Sequence, residues 1–214
     1  MRYLIVCGGK IDKEFGLNEI KTDGIDAIIA ADSGMDFLYE NGVTPDIIVG
    51  DFDSATTKAL EYFERKGQTE IHRLNPIKDD TDTEYAIRLA IREGARSIVL
   101  LGATGSRIDH VLGNISLLGI GLESKTDISI IDTNNRIRMA DKPVTIEKSA
   151  QYGRFVSLIA VTDDNEVSLR GFKYPVTDYS FDRFTSLGIS NEIVDDHALI
   201  DIHRGKFIII ESKD

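Results

Sequence analysis

Aspartates recur at fixed places in this sequence. Asp32 closes an apolar run ahead of Ser33 and Gly34, and Asp51 and Asp53 flank Phe52 in Gly50-Asp51-Phe52-Asp53-Ser54. Asp79, Asp80 and Asp82 surround Thr81, and Asp109 follows the stretch Gly105-Ser106-Arg107-Ile108 ahead of His110. One aspartate alone is an ordinary turn former or helix N-cap, and that reading suffices for Asp12 and Asp80. The set Asp51, Asp53, Asp82 and Asp109 is different, because each follows an apolar run of strand type. In an open α/β sheet, ligands bind beyond the C-terminal ends of the strands, so these carboxylates would share one edge. Like charges brought close together need a counter-charge. A hard cation such as Mg²⁺, held by a few carboxylates and by substrate phosphates, supplies it.

The 102–107 segment is the candidate for holding phosphate. It joins an apolar run to a helical pattern, is rich in Gly, Ser and Thr, and carries Arg107. Backbone N–H groups at a helix start bind anions, and a guanidinium adds a two-pronged contact. No G-x-x-x-x-G-K-[ST] loop occurs in the sequence. Gly8-Gly9 lacks the third glycine of a dinucleotide fingerprint, and no helix start is evident after it. It reads as a tight turn near a ligand.

These groups must be positioned by regular elements. Near-continuous apolar runs over 3–7, 27–31, 47–49, 71–74, 98–101 and 128–131 read as strands buried on both faces of a parallel sheet. Helical segments alternate with them. One runs over 34–41 and stops at Gly42. Ser54 caps another that stops at Gly67. Thr81 and Glu84 make a capping box for a third that runs to Gly94. The segment 108–122 is helical despite Gly113 and Gly119, which implies a closely packed helix. The alternation predicts a doubly wound, mostly parallel α/β domain over 1–140. Beyond it the strand runs 144–147, 155–161, 167–170, 197–203 and 206–210, separated by turn residues, predict a small all-β sandwich over 141–214.

The chain has 214 residues, with 36 acidic and 25 basic side chains, a net charge of −11 and a pI near 4.8. Such a surface repels nucleic acid and anionic membranes, so an anionic substrate needs a local device. The lone Cys7 excludes an internal disulfide and reads as a buried small hydrophobe. The first apolar stretch is too short for a signal core, and no run reaches membrane-span length. A cytoplasmic protein is expected.

Taken in order, Asp32-Ser33-Gly34, Gly50 to Ser54, Asp79 to Asp82, Gly105 to His110, and Ser190-Asn191 in a β-rich tail resemble the thiamine pyrophosphokinase family over nearly the whole chain. The resemblance implies an α/β domain, a β-sandwich, and a homodimer with active sites between subunits. It implies transfer of the pyrophosphoryl group of ATP to thiamine, giving thiamine diphosphate and AMP. By motif position, Asp51, Asp53 and Asp82 are the implied Mg²⁺ ligands and, with Arg107, the implied catalytic residues. Asp32, Ser33, Ser54, Thr81, Gly105, Arg107, Asp109 and His110 are implied on the ATP side. Asp79, Asp82, Ser190 and Asn191 are implied on the thiamine side. Lys78 stands where some family members have glutamine.

Asp51-Phe52-Asp53 also resembles the nucleophile motif of haloacid-dehalogenase phosphatases, but that motif needs Thr or Val where Ala55 stands. A non-catalytic nucleotide or thiamine sensor is a further alternative on the same scaffold. His72 reads as structural, His197 as a turn and strand residue, and His110 as the one histidine near the chemistry. The aromatics Tyr174, Tyr179, Phe181 and Phe184 read as core or interface.

Overall fold

The computed structural model describes residues 1–52, 57–75 and 80–214, and it divides into two compact units, Met1–Thr133 and Asn134–Asp214. In the first unit, apolar runs form β1 (Arg2–Val6), β2 (Ala27–Ala31), β3 (Ile47–Gly50), β4 (Glu70–Arg73), β5 (Ser97–Leu101) and β6 (Asp127–Ile131). The helices are α1 (Lys13–Ile20), α2 (Gly34–Glu40), α3 (Thr57–Lys66), α4 (Asp82–Arg92) and α5 (Ile108–Ser124). The strands lie in the order β6-β5-β1-β2-β3-β4, and their pairings are parallel. The chain steps outward from β1 to β4, then crosses back to lay β5 on the other side of β1. Such a reversal opens a crevice beyond the strand ends.

Burial on both faces explains the unbroken apolar strands. Leu4, Val6, Ala30, Ile48 and Leu101 pack with Met35 and Leu38 of α2 and Ala59 and Phe63 of α3. Their alternates Ile5, Ile29 and Leu100 are equally buried, and α4 packs against β1, β2 and β3. Each buried Leu, Ile, Val, Met or Phe among them contributes roughly 1.5–3 kcal/mol.

Helix ends follow the local signals. The Thr81 hydroxyl accepts the Glu84 N–H at 3.2 Å. The second half of the predicted capping box does not form that way, because the Glu84 carboxylate accepts from Arg88 one turn on. Gly42, Gly67 and Gly94 follow α2, α3 and α4 with positive φ. Helix α1 is an addition to the sequence reading; Gly16 in its middle and a weak apolar stripe hide it. Its N-cap is Asp12, whose Oδ1 accepts the Phe15 N–H at 2.9 Å. In α5 close packing is seen at Gly121 and not at Gly113. A Cβ at Gly121 would sit 2.6 Å from the Thr126 carbonyl oxygen, whereas one at Gly113 meets nothing within 4 Å.

The second unit holds β7 (Asn135–Ala140), β8 (Val144–Glu147), β9 (Phe155–Ala160), β10 (Glu166–Arg170), β11 (Val176–Ser180), β12 (Asn191–Glu192), β13 (His197–Arg204) and β14 (Phe207–Ser212). Within it, β12-β9-β14-β7 and β11-β10-β13-β8 form two antiparallel layers. Val156, Leu158, Phe207 and Ile209 of one layer share a core with Ile146, Val167, Leu169 and Ile200 of the other, which makes a sandwich. The unit begins before the expected residue 141, because β7 pairs along its length with β14. Among the described residues no helix is long and apolar enough to cross a membrane.

Candidate active site

Asp32 follows β2, Asp51 follows β3, and Asp82 opens α4. One carboxylate oxygen from each lies within 4.8 Å of the others, and all three residues are half-buried. The parallel sheet delivers Asp32 and Asp51 to one edge, and the Thr81 cap fixes where Asp82 begins its helix. Backbone strain helps to aim them. Asp32 and Phe52 have φ of 49° and 63°, a region that bulky L-residues adopt rarely and that clusters at functional sites. Gly50 leaves room for the Phe52 ring, which would lie 3.0 Å from a Cβ there. The Arg73 guanidinium lies over the Phe52 ring, 5.4 Å from its centre. Asp53, Ser54, Lys78 and Asp79, all singled out in the sequence, lie outside the described residues.

Beside the carboxylates, a cleft of about 830 Å³ opens at the sheet reversal. Ser33, Thr81, Gly105, Arg107, Asp109 and His110 all line it, as does Asp32. Two loops meet at backbone distance beside it. The Gly9 N–H donates to the Gly102 carbonyl at 2.9 Å, and a Cβ at Gly9 would run into the carbonyl oxygens of Gly102 and Thr104. Two side chains pin the 102–107 loop: Thr104 donates to Asp132 at 2.9 Å, and Asn114 donates to the Ala103 carbonyl at 2.7 Å. Its backbone is thereby held at the start of α5, where N–H groups favour anions.

Arg107 donates to Asp109 at 2.6 Å, and both are well exposed at the cleft rim. That hydrogen bond, assisted by the His110 backbone N–H, outweighs desolvation and holds the Asp109 carboxyl down to about 2. Asp109 thus shares the cleft but is not one of the three aspartates that converge. Cys7 also lines the cleft. Its sulfur accepts from Thr83 at 3.7 Å, and burial pushes the thiol up to about 11. A thiol so disposed stays protonated near neutrality.

Three cleft features go beyond the sequence reading. Asp32, read from its motif as a nucleotide-side residue, converges with the metal-type carboxylates. Lys10 brings a cation to the cleft, and its signal was its place directly after β1 and Gly8-Gly9. Asn114 acts through the loop it pins, for which sequence offers no marker.

In the sandwich unit, Ser190 has φ of 60°, and its N–H donates to Ser157 at 3.0 Å. Asn191 is buried. Its amide oxygen accepts the N–H groups of Tyr174 and Glu192, and its amide nitrogen donates to the Tyr174 carbonyl. Asn191 therefore fixes the chain next to Ser190. His72 lies between Glu70 and the Tyr85 hydroxyl and is structural, and His197 opens β13. Phe181 is in the sandwich core, whereas Phe184 is 92% exposed.

A parallel α/β unit with a carboxylate-lined crevice at its sheet reversal, followed by an antiparallel sandwich, places the chain among kinase-type transferases. A family model described as thiamin pyrophosphokinase, catalytic domain, matches residues 21–131, and one described as thiamin pyrophosphokinase, vitamin B1 binding domain, matches residues 143–207. The chain belongs to the thiamine pyrophosphokinase family. It is 35% identical over 188 residues to the thiamine pyrophosphokinase of Bacillus subtilis (strain 168), covering 87% of each chain. The crystal structure of thiamine pyrophosphokinase from Bacillus subtilis superposes with a TM-score of 0.89 at 32% identity, covering 100% of both chains. That of thiamin pyrophosphokinase from Geobacillus thermodenitrificans gives 0.85 at 29% identity, covering 100% of this chain and 98% of the other. Membership displaces the phosphatase alternative.

Proposed function

We propose that the chain moves the pyrophosphoryl group of ATP to the hydroxyl of thiamine, yielding thiamine diphosphate and AMP. The observation that carries this reading is the convergence of Asp32, Asp51 and Asp82, two of which line the cleft, in a member of this family. The donor set consists of carboxylate oxygens without histidine or cysteine, which suits Mg²⁺ and not a softer metal. Asp51 and Asp82, with Asp32 and the neighbouring Asp53, would hold it. When bound, the ion neutralises charge on the phosphate oxygens.

The protein's own groups do the rest by positioning and charge. The 102–107 backbone and Arg107 receive phosphate oxygens, with Asp32, Ser33, Thr81, Gly105, Asp109 and His110 on the ATP side and Ser54 expected with them. The thiamine hydroxyl oxygen forms its bond to the β-phosphorus. The bond from that phosphorus to the oxygen bridging to the α-phosphorus breaks, and AMP leaves with that oxygen. The hydroxyl proton passes to a carboxylate, Asp82 or Asp79. Ser190, held by Asn191 and Ser157, is the proposed thiamine contact in the sandwich unit, supplied by the second subunit of a homodimer. The exposed Phe184, Leu187 and Ile189 beside it favour a covered surface there. A cytoplasmic setting accords with a buried, reduced Cys7.

Product analysis with purified protein, ATP, thiamine and Mg²⁺ tests the reading. Equal amounts of AMP and thiamine diphosphate, lost on adding EDTA, are expected. ADP with thiamine monophosphate would replace pyrophosphoryl transfer by simple phosphoryl transfer. Tight thiamine binding without nucleotide turnover would turn the chain into a sensor.

A further inference from the structure

Among the described strands, β4 ends the parallel sheet, with β3 alone beside it. Three of its four residues, Glu70, His72 and Arg73, are polar. Polar side chains on an edge strand ordinarily keep it from pairing with another chain. His72 and Arg73 do more. They are consecutive, so they project from opposite faces of the sheet, and each ends on an element that carries a converging aspartate.

On one face stands α4. The Nε2 of His72 lies 2.7 Å from the Glu70 carboxylate, and its Nδ1 lies 3.2 Å from the Tyr85 hydroxyl. A carboxylate only accepts, so in the neutral ring Nε2 carries the hydrogen and Nδ1 accepts from Tyr85. The two rings also meet edge-on, with centres 6.0 Å apart. Tyr85 follows Asp82 by three residues, so both lie on one side of α4. The first N–H groups of a helix have no partner within it. A side-chain tether at this point therefore steadies the turn that holds Asp82.

On the other face, Ile71 packs with residues of α2 and α3. Arg73, two residues on, pairs with Glu64 of α3 and lies over the Phe52 ring. Phe52 follows Asp51 and has φ of 63°, a backbone that persists only where its surroundings over-determine it. Gly50 leaves room on one side of the ring and Arg73 covers it. The Leu74 N–H donates to the Gly50 carbonyl at 2.9 Å, which ties the end of β4 to the residue before Asp51.

Building on the proposed Mg²⁺ site, we infer that β4 braces that site from both faces of the sheet: His72 holds Asp82 in place through Tyr85, and Arg73 holds Asp51 in place through Phe52. Both are positioning residues and not ligands. Losing either tether lets one carboxylate drift from the other two and weakens the hold on the ion.

Tyr85→Phe removes only the hydroxyl, and Arg73→Met removes the charge while keeping most of the side chain. Titrated calorimetrically with Mg²⁺ alone, each variant should bind about three- to tenfold more weakly than the wild type. That is less than the roughly 10–100-fold lost with a group bonded directly to a metal ligand. His72→Leu should match Tyr85→Phe, because both break the same bond. Arg73→Lys, which keeps a cation over the ring, should recover most of the Arg73→Met loss. In turnover, kcat at fixed Mg²⁺ should fall with the affinity, with the KM for thiamine within about twofold. Thr69 supplies the control. It stands just ahead of β4 and donates to the Pro45 carbonyl at 2.9 Å. Thr69→Val removes a hydrogen bond from the same strand connection without loosening either tether. It should lower the urea midpoint at least as much as Tyr85→Phe does and leave Mg²⁺ affinity unchanged. Equal Mg²⁺ affinity in the wild type, Tyr85→Phe and Arg73→Met would overturn the inference and leave the proposed metal site standing. A loss of affinity as large in Thr69→Val would overturn it too, by making the effect one of strand stability. A wild type that takes up no Mg²⁺ would overturn the proposed metal site and the inference with it.

Discussion

The two units gather charge in opposite ways. In the α/β unit, Asp32, Asp51 and Asp82 bring like charges within 4.8 Å of one another. In the sandwich, the fully buried Glu211 accepts two hydrogen bonds from Arg136, one from Arg138 and one from the Tyr152 N–H. The second arrangement holds strands together: β7 carries both arginines, β14 carries the carboxylate, and the two strands pair. The first sets like charges side by side, and their mutual repulsion calls for a counter-charge. A like-charge cluster at a sheet reversal is therefore the mark of a ligand, and an opposite-charge cluster between paired strands is the mark of architecture.

The largest expected effect comes from breaking the first cluster. Asp51→Asn removes a charge with little change of shape. Turnover should fall by about 10²–10³-fold, the scale of losing one electrostatic contact to a transition state. Mg²⁺ should raise the melting temperature of the wild type and do less for the variant. A loss of only a few-fold in turnover would remove Asp51 from the metal site.

Breaking the second cluster should do the reverse. Glu211→Gln leaves Arg136 and Arg138 with no buried anion. Removing one partner of a buried pair costs about 3–5 kcal/mol, so the urea midpoint should drop sharply. A variant as stable as the wild type would show that the arginines find water, and that Glu211 is not what joins β7 to β14.

The two clusters also differ in how far sequence exposes them. The strand runs and the aspartates at their ends are local patterns, so the parallel unit and the placement of Asp51 and Asp82 were legible. Asp32 was visible as a residue, but its convergence with the other two depends on strand order and on a left-handed φ, and neither is written locally. Asn114 acts through the loop it pins, and a helical glycine looks the same whether it packs, as Gly121 does, or meets nothing, as at Gly113. Nor was the start of the sandwich legible, because β7 belongs to it through pairing with β14, far along the chain. The Glu211 cluster joins residues 75 positions apart and leaves no spacing to read.

Cys7 supplies a smaller effect that sharpens the comparison, as a titratable group beside the carboxylates that does no chemistry. Its thiol is pushed up to about 11 when folded, against about 8.5 in an open chain. Below pH 8.5 both states hold the proton and the contribution to stability is fully present. As pH rises toward 11 the unfolded chain releases its proton first, so this contribution is lost. Between pH 8 and pH 10 the wild type should lose about 1–2 kcal/mol more stability than Cys7→Ala. Turnover near neutral pH should be insensitive to alkylating reagents in the folded protein. Rapid alkylation at pH 8 would mean that the thiol is neither buried nor passive.

The smallest effect separates position from stability within the α/β unit itself. Asp12 and Thr81 cap α1 and α4 through the same kind of bond, each accepting the N–H three residues on. Replacing either with alanine should cost about 1 kcal/mol in chemical unfolding. Only Thr81 stands next to a converging carboxylate, because Asp82 is the first residue of α4. Thr81→Ala should therefore also lower kcat, while Asp12→Ala should leave it unchanged. Thr81→Ser, which keeps the capping oxygen, should recover most of that loss. If serine fails to recover it, the Thr81 methyl group or a direct substrate contact matters more than the cap. If Asp12→Ala lowers kcat as much as Thr81→Ala does, the site responds to the stability of the unit as a whole and not to the aim of Asp82.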